Sequence, residues 1–125
     1  MAVLVFQAGA ANAATVLDNT FPKDAPISFE EMHQIVSKDF TDPNSTQYKG
    51  LSIHDQPGRG AAICGWVNAK NAFGGYTPFY PFGFLVEKRQ ADINRDFQDP
   101  ILFDLREMSF AMYGCKEALG YSKPQ

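Results

Sequence analysis

The sequence predicts an α+β domain: an N-terminal helix, an antiparallel meander of three or four strands and a C-terminal helix, closed by one disulfide. Two observations set the helices: apolar residues recur at helical spacing between Ser28 and Phe40, and again from Asp104 to Leu119. A third sets the sheet, because the segment between them holds alternating apolar runs separated by Gly- and Pro-rich turn signals. A chain of 125 residues fits one domain, expected over residues 27–121.

Residues 14–26 carry Asp18-Asn19, Pro22 and Pro26 without a clear period, and read as an extended arm. Ser28 and Glu31 then form a capping box, in which hydroxyl and carboxylate satisfy the first turn of the helix. Phe29, Met32, Ile35, Val36 and Phe40 mark its apolar face. Asp42-Pro43 stops it, since proline disfavours helical geometry in the preceding residue.

Residues 47–54 are the first strand candidate, with Leu51 and Ile53 on one face, and Asp55-Gln56-Pro57-Gly58 is a turn signal. Residues 60–69 form the best strand, where Ala62, Cys64 and Trp66 alternate with Ile63, Gly65 and Val67. A Gly-rich loop follows at residues 71–78, and residues 80–88 resume alternation with Phe82, Phe84 and Val86 together. Residues 89–100 are polar and read as loop, with residues 101–103 either a short fourth strand or the start of the last helix. From Asp104, the residues Leu105, Met108, Ala111, Met112, Cys115 and Leu119 fall at helical spacing, with Gly120 as end cap. Gly114 inside this helix is expected to weaken it by about 1 kcal/mol relative to alanine. Both helices are expected to cover one face of the sheet.

Composition narrows the function. The net charge is −3, and Lys49, Arg59, Lys70 and Arg89 are scattered rather than clustered. Nucleic-acid binding needs a concentrated positive footprint, so that class is set aside. Residues 1–13 are free of charge, and Ala11-Asn12-Ala13 places small residues where a signal peptidase reads them. This reads as a secretory signal cleaved after Ala13. No positively charged leader precedes it, which is consistent with Met1 being internal to a longer leader. No apolar run approaches the roughly 20 residues of a transmembrane helix.

An exported protein with two cysteines usually joins them, so Cys64 and Cys115 are expected to pair. The alternative is a thiol nucleophile at Cys64 with His54 as its base. A nucleophile needs a partly exposed, electropositive setting, and Cys64 lies in what reads as a buried strand.

At residues 63–76, Ile-Cys-Gly-Trp-Val-Asn-Ala-Lys-Asn-Ala-Phe-Gly-Gly-Tyr, the chain resembles a largely uncharacterised family of small exported or lipid-anchored proteobacterial proteins. The family pattern is Val or Ile, Cys-Gly, a variable residue, Val-Asn-Ala-Lys-Asn and a Gly-Gly-Tyr ending. Asp42-Pro43-Asn44-Ser45 with Tyr48, and the late Cys115, match its flanking features. Where the family has Thr-Gly and an aromatic, this chain has Thr77-Pro78-Phe79. The resemblance implies export and fold type, but no catalytic residues.

Within that motif, Asn68, Lys70, Asn71 and Tyr76 are the candidate binding residues. Lys70 lies between two amides and near Phe73, Phe79 and Tyr80, which together offer a cation, amides and ring faces. Such a set suits a glycan or peptide ligand. The plainer reading has Asn68 and Asn71 capping a turn, Lys70 solvated and the rings in the core.

Other constellations are weaker. Glu30 and His33 give a single Glu-x-x-His step, where a di-metal site needs two, and two histidines offer little to zinc. No metal, cofactor or catalytic residue is expected, and no nucleotide or hydrolase motif occurs. The expected function is a non-enzymatic binding or accessory domain, periplasmic or secreted, with an envelope protein, glycan or peptide as partner. The alternatives are a small periplasmic hydrolase and a structural subunit of an envelope complex.

Overall fold

A computed structural model of the chain describes residues 14–125, so the leader expected at residues 1–13 lies outside the described residues. Five strands form one sheet in sequence order: β1 (Thr15–Val16), β2 (Gln47–Gln56), β3 (Gly60–Asn68), β4 (Tyr80–Leu85) and β5 (Gln90–Ile93). The sheet is mixed, because β1 runs parallel to β2 while the later pairs are antiparallel. Three α-helices accompany it: α1 (Phe29–Val36), α2 (Phe103–Phe110) and α3 (Cys115–Leu119).

Part of the arm joins the sheet. After β1, the Leu17 N–H donates to the Tyr48 carbonyl at 2.8 Å. Asp18 and Thr20 then accept from the Gly50 and Leu51 N–H groups at 2.8 and 2.9 Å. These bonds hold a bulge in β2, where three steps from Lys49 to Ser52 match two steps of β3. The extra residue brings Tyr48, Leu51 and Ile53 to the same face, which strict alternation would forbid.

That face is covered by α1. Ser28 caps it as expected, accepting from the Glu31 N–H at 3.1 Å, while the Glu31 carboxylate pairs with Arg89 at 2.9 Å. Met32 and Val36 pack on Tyr48, Ile63, Val67, Phe82 and Phe84. The helix ends at Val36, before the expected Phe40: the Ser37 hydroxyl takes the His33 carbonyl at 2.6 Å, and the chain turns.

The expectation that both helices share one sheet face is overturned. Ala62, Cys64 and Leu85 on the opposite face pack with Phe110, Tyr113 and Cys115. The cause lies in β3, whose two faces are both apolar and need cover on both sides. Cys64 and Cys115 are joined by a disulfide in this second core. Gly83 lies under Tyr113, and a Cβ there would come within 2.5 Å of the Tyr113 Cβ.

Three further expectations change. Residues 90–93, read as loop, form edge strand β5, whereas of the two readings of residues 101–103 the entry to the last helix holds. The long last helix is broken: a 3₁₀ turn (Ala111–Tyr113) and Gly114 at φ 69° separate α2 from α3. The buried side of α2 also differs, since Leu105 and Met108 are 67% and 79% exposed. Phe103, Arg106, Glu107 and Phe110 occupy the inner side instead, at equally good helical spacing. Arg106 makes two bonds to Asp92, at 2.9 and 2.8 Å. Glu107 accepts from Asn94 at 2.8 Å and from the Tyr121 hydroxyl at 2.6 Å. Among the described residues, no helix is long and apolar enough to cross a membrane.

Candidate functional site

The end of β3 and the loop after it are built by short-range hydrogen bonds. The Asn68 amide nitrogen donates to the Thr77 carbonyl at 3.1 Å, and the Thr77 N–H donates to the Ala69 carbonyl at 3.0 Å. Lys70 and Tyr76 then pair as an antiparallel bridge. Beyond them, the Asn71 side-chain oxygen accepts from the Phe73 and Gly75 N–H groups at 2.9 and 3.2 Å. Asn71 therefore shapes the loop, as its residue type allows. Gly74 supplies the positive φ of 83° that the turn requires. Phe73 projects from the tip, 96% exposed.

A second segment pins this loop. Ser45, in the 3₁₀ turn Pro43–Ser45, accepts from the Lys70 N–H at 2.8 Å through its hydroxyl. Its carbonyl accepts from the Tyr76 hydroxyl at 3.0 Å. Residues 42–45 and the loop after β3 thus touch each other, and Ser45 is the joint.

Beside the loop lies a cavity of about 160 Å³, where the end of β3 meets the chain after α1 and the chain after β5. Val67, Ile93, Phe40 and Tyr80 give it apolar walls, and Asp39, Thr41, Asn68, Lys70, Asn71 and Arg95 give it polar ones. Asn68 is only 7% exposed, and its side-chain oxygen has no hydrogen-bond partner. The amide's orientation is set by chemistry, because the Thr77 carbonyl can only accept and must face the NH₂ group. The free atom is consequently the acceptor. Leaving such an atom buried and unpaired costs about 1–3 kcal/mol.

The mouth is charged. Arg95, exposed, lies over the Tyr80 ring at 5.9 Å from its centroid. It makes no ion pair among the described residues. Lys70, also exposed and without an ion pair there, lies 5.8 Å from the centroid of the Tyr76 ring. Asp39 contributes one exposed carboxylate. The arrangement presents two cations and one carboxylate at the rim and can attract a negative group there.

Of the residues singled out from sequence, Asn68, Lys70 and Asn71 line this cavity together. Tyr76 does not line it; its hydroxyl is bonded to Ser45 and its ring flanks the Lys70 side chain. Sequence reasoning missed Asp39, Thr41 and Arg95, which are distant in sequence from Asn68 and carry no motif of their own. Cys64 is in the disulfide and holds no thiol, and His54 on the other side of the sheet lies 3.3 Å from the Gln56 side-chain oxygen. Among the described residues, no group of three or more His, Cys, Asp or Glu side chains is placed to hold a metal ion.

No protein-family model matches the chain, and neither a curated protein nor a solved structure is significantly similar to it.

Proposed function

We propose that the chain is an exported bacterial envelope protein, periplasmic or secreted, that acts as a non-enzymatic binding domain through the cavity at Asn68. The observation that carries this reading is the cavity itself, whose exposed rim holds Lys70 and Arg95, neither in an ion pair among the described residues. Export is supported by the uncharged segment ending in Ala11-Asn12-Ala13 and by a disulfide, which persists in oxidising compartments. The resemblance to small exported proteobacterial proteins points the same way. The thiol-nucleophile reading of Cys64 loses support, because that sulfur is cross-linked to Cys115.

NMR of the Asn68 side-chain amide tests the reading. Titration with the dialysable fraction of a bacterial envelope extract should shift this resonance saturably, together with the backbone signals of Lys70 and Arg95. Resonances that stay fixed throughout the titration would remove the cavity as a binding site.

A further inference from the structure

We infer that the outward face of α2 pairs with the same face of a second copy of this chain, the two helices antiparallel across a two-fold axis near Leu105. Ile101, Leu102, Leu105 and Met108 are 86%, 38%, 67% and 79% exposed. They are four of the seven large apolar side chains that stand exposed among the described residues, and they fall on one helical stripe. The Phe103 N–H donates to the Asp99 carbonyl at 2.9 Å, so the helical path already runs through residues 101 and 102. Apolar side chains scattered singly over a surface need no explanation, whereas a contiguous patch marks a contact.

The charges that border the stripe are already matched within the chain. Arg106 donates to Asp92 at 2.8 Å and lies 3.9 Å from Asp96, and Lys123 holds Asp104 at 2.7 Å. Glu107 accepts from Asn94 and from the Tyr121 hydroxyl. A charged partner therefore gains little here, and the face suits an apolar surface whose border is equally balanced. A second copy brings that surface, and a two-fold pairing of one patch with itself closes without any other component.

Shape sets the direction. Leu102, Leu105, Met108 and Ser109 line a shallow groove, and Ile101 stands beside it rather than in it. Ile101 and Ser109 each lie four residues from Leu105, about 6 Å along the helix. Reversing one helix about Leu105 therefore sets Ile101 of each copy against the Met108–Ser109 end of the other's groove. One helix face per copy falls short of the roughly 800 Å² that a stable complex takes from each partner, so the dimer is weak and dissociates on dilution.

The test is sedimentation equilibrium of the disulfide-bonded protein over a range reaching about 1 mM, the regime of a weak contact. The average mass should climb from monomer toward dimer, and in dilution NMR the shifts should gather on residues 101–109. Leu105→Glu should hold the protein monomeric throughout, with an unchanged melting temperature at the dilute end, because that side chain is exposed. Leu17→Glu, at an exposed apolar residue after β1, should leave the association intact. A wild type that stays monomeric at the highest concentration would overturn the pairing, and so would a dimer that survives Leu105→Glu. Phosphatidylcholine vesicles form a second arm: monomeric protein whose α2 signals broaden with vesicles would assign the face to lipid and overturn the second copy. The cavity at Asn68 shares no residue with this groove, so the envelope-extract titration and the sedimentation can fail separately.

Discussion

Asn68 and Asn71 show how the same residue type takes two roles a few positions apart. Asn71 turns its oxygen onto two loop N–H groups, whereas Asn68 donates to Thr77 and leaves its oxygen buried without a partner among the described residues. Both roles were open in the sequence, but their assignment was not, because it depends on which backbone groups the fold brings near. His33 is a similar case. Read as a boundary residue of the helix, it places Nδ1 2.8 Å from the hydroxyl of the fully buried Tyr48, with Phe29 stacked on its ring. Burial lowers its pKa from the ordinary 6.5, partly opposed by the Pro43 carbonyl, so the neutral ring accepts from Tyr48. The unfolded chain then binds the His33 proton at a higher pH than the folded one. Its contribution is complete above pH 6.5 and is lost as pH falls from there through the lowered folded value. Urea midpoints should therefore drop between neutral and mildly acidic pH, and His33→Gln should flatten that drop. An equal drop in both proteins would remove His33 as its source.

The elements that sequence reading placed well are those with one clear period and a local stop signal. The Ser28 cap, the turn after Gln56 and the alternation of Phe82, Phe84 and Val86 needed no tertiary information. β5 was hidden because an edge strand with one polar face resembles a loop. The last helix misled for a different reason: it offers two stripes at helical spacing, and the more apolar one faces outward. Partners on β5 and just after it decided the matter, since Arg106 and Glu107 have Asp92 and Asn94 to bond. Gly114 was legible as a weak point but not as a left-handed joint. Two other glycines give predictions that separate space from conformation. Gly83→Ala meets Tyr113 in a packed core and should cost about 1–3 kcal/mol by overpacking. Gly74→Ala has open space and only an unfavourable φ of 83°, so about 1 kcal/mol is expected. Denaturant midpoints check both, and a Gly83→Ala protein as stable as wild type would contradict the close packing of Tyr113.

At the scale of the whole molecule, the sheet is a partition between two cores, and the disulfide ties the second core together. The cross-link closes a separation of 51 residues, worth about 4 kcal/mol on the chain-entropy account. Cys64→Ser and Cys115→Ser should lose similar amounts in denaturant titrations, because each removes the same bond. Widely unequal losses would mean that one residue acts mainly through packing. The sheet's edges are poorly suited to strand addition. β1 has two residues, and in β5 the Ile93 N–H donates to Asp92 while its carbonyl accepts from Arg106. The proposed recognition site lies instead at the end of the sheet, where β3, the α1 exit and the β5 exit meet at the cavity. Lys70 provides the sharpest probe of that claim, because an exposed cation contributes little to folding. The deciding measurement is thermal melting of wild type and Lys70→Ala with increasing dialysable envelope fraction. Without the fraction the two should melt together; with it, wild type alone should rise as ligand binding stabilises the folded state. A Lys70→Ala protein that gains the same stabilisation as wild type would contradict a binding site at this cavity.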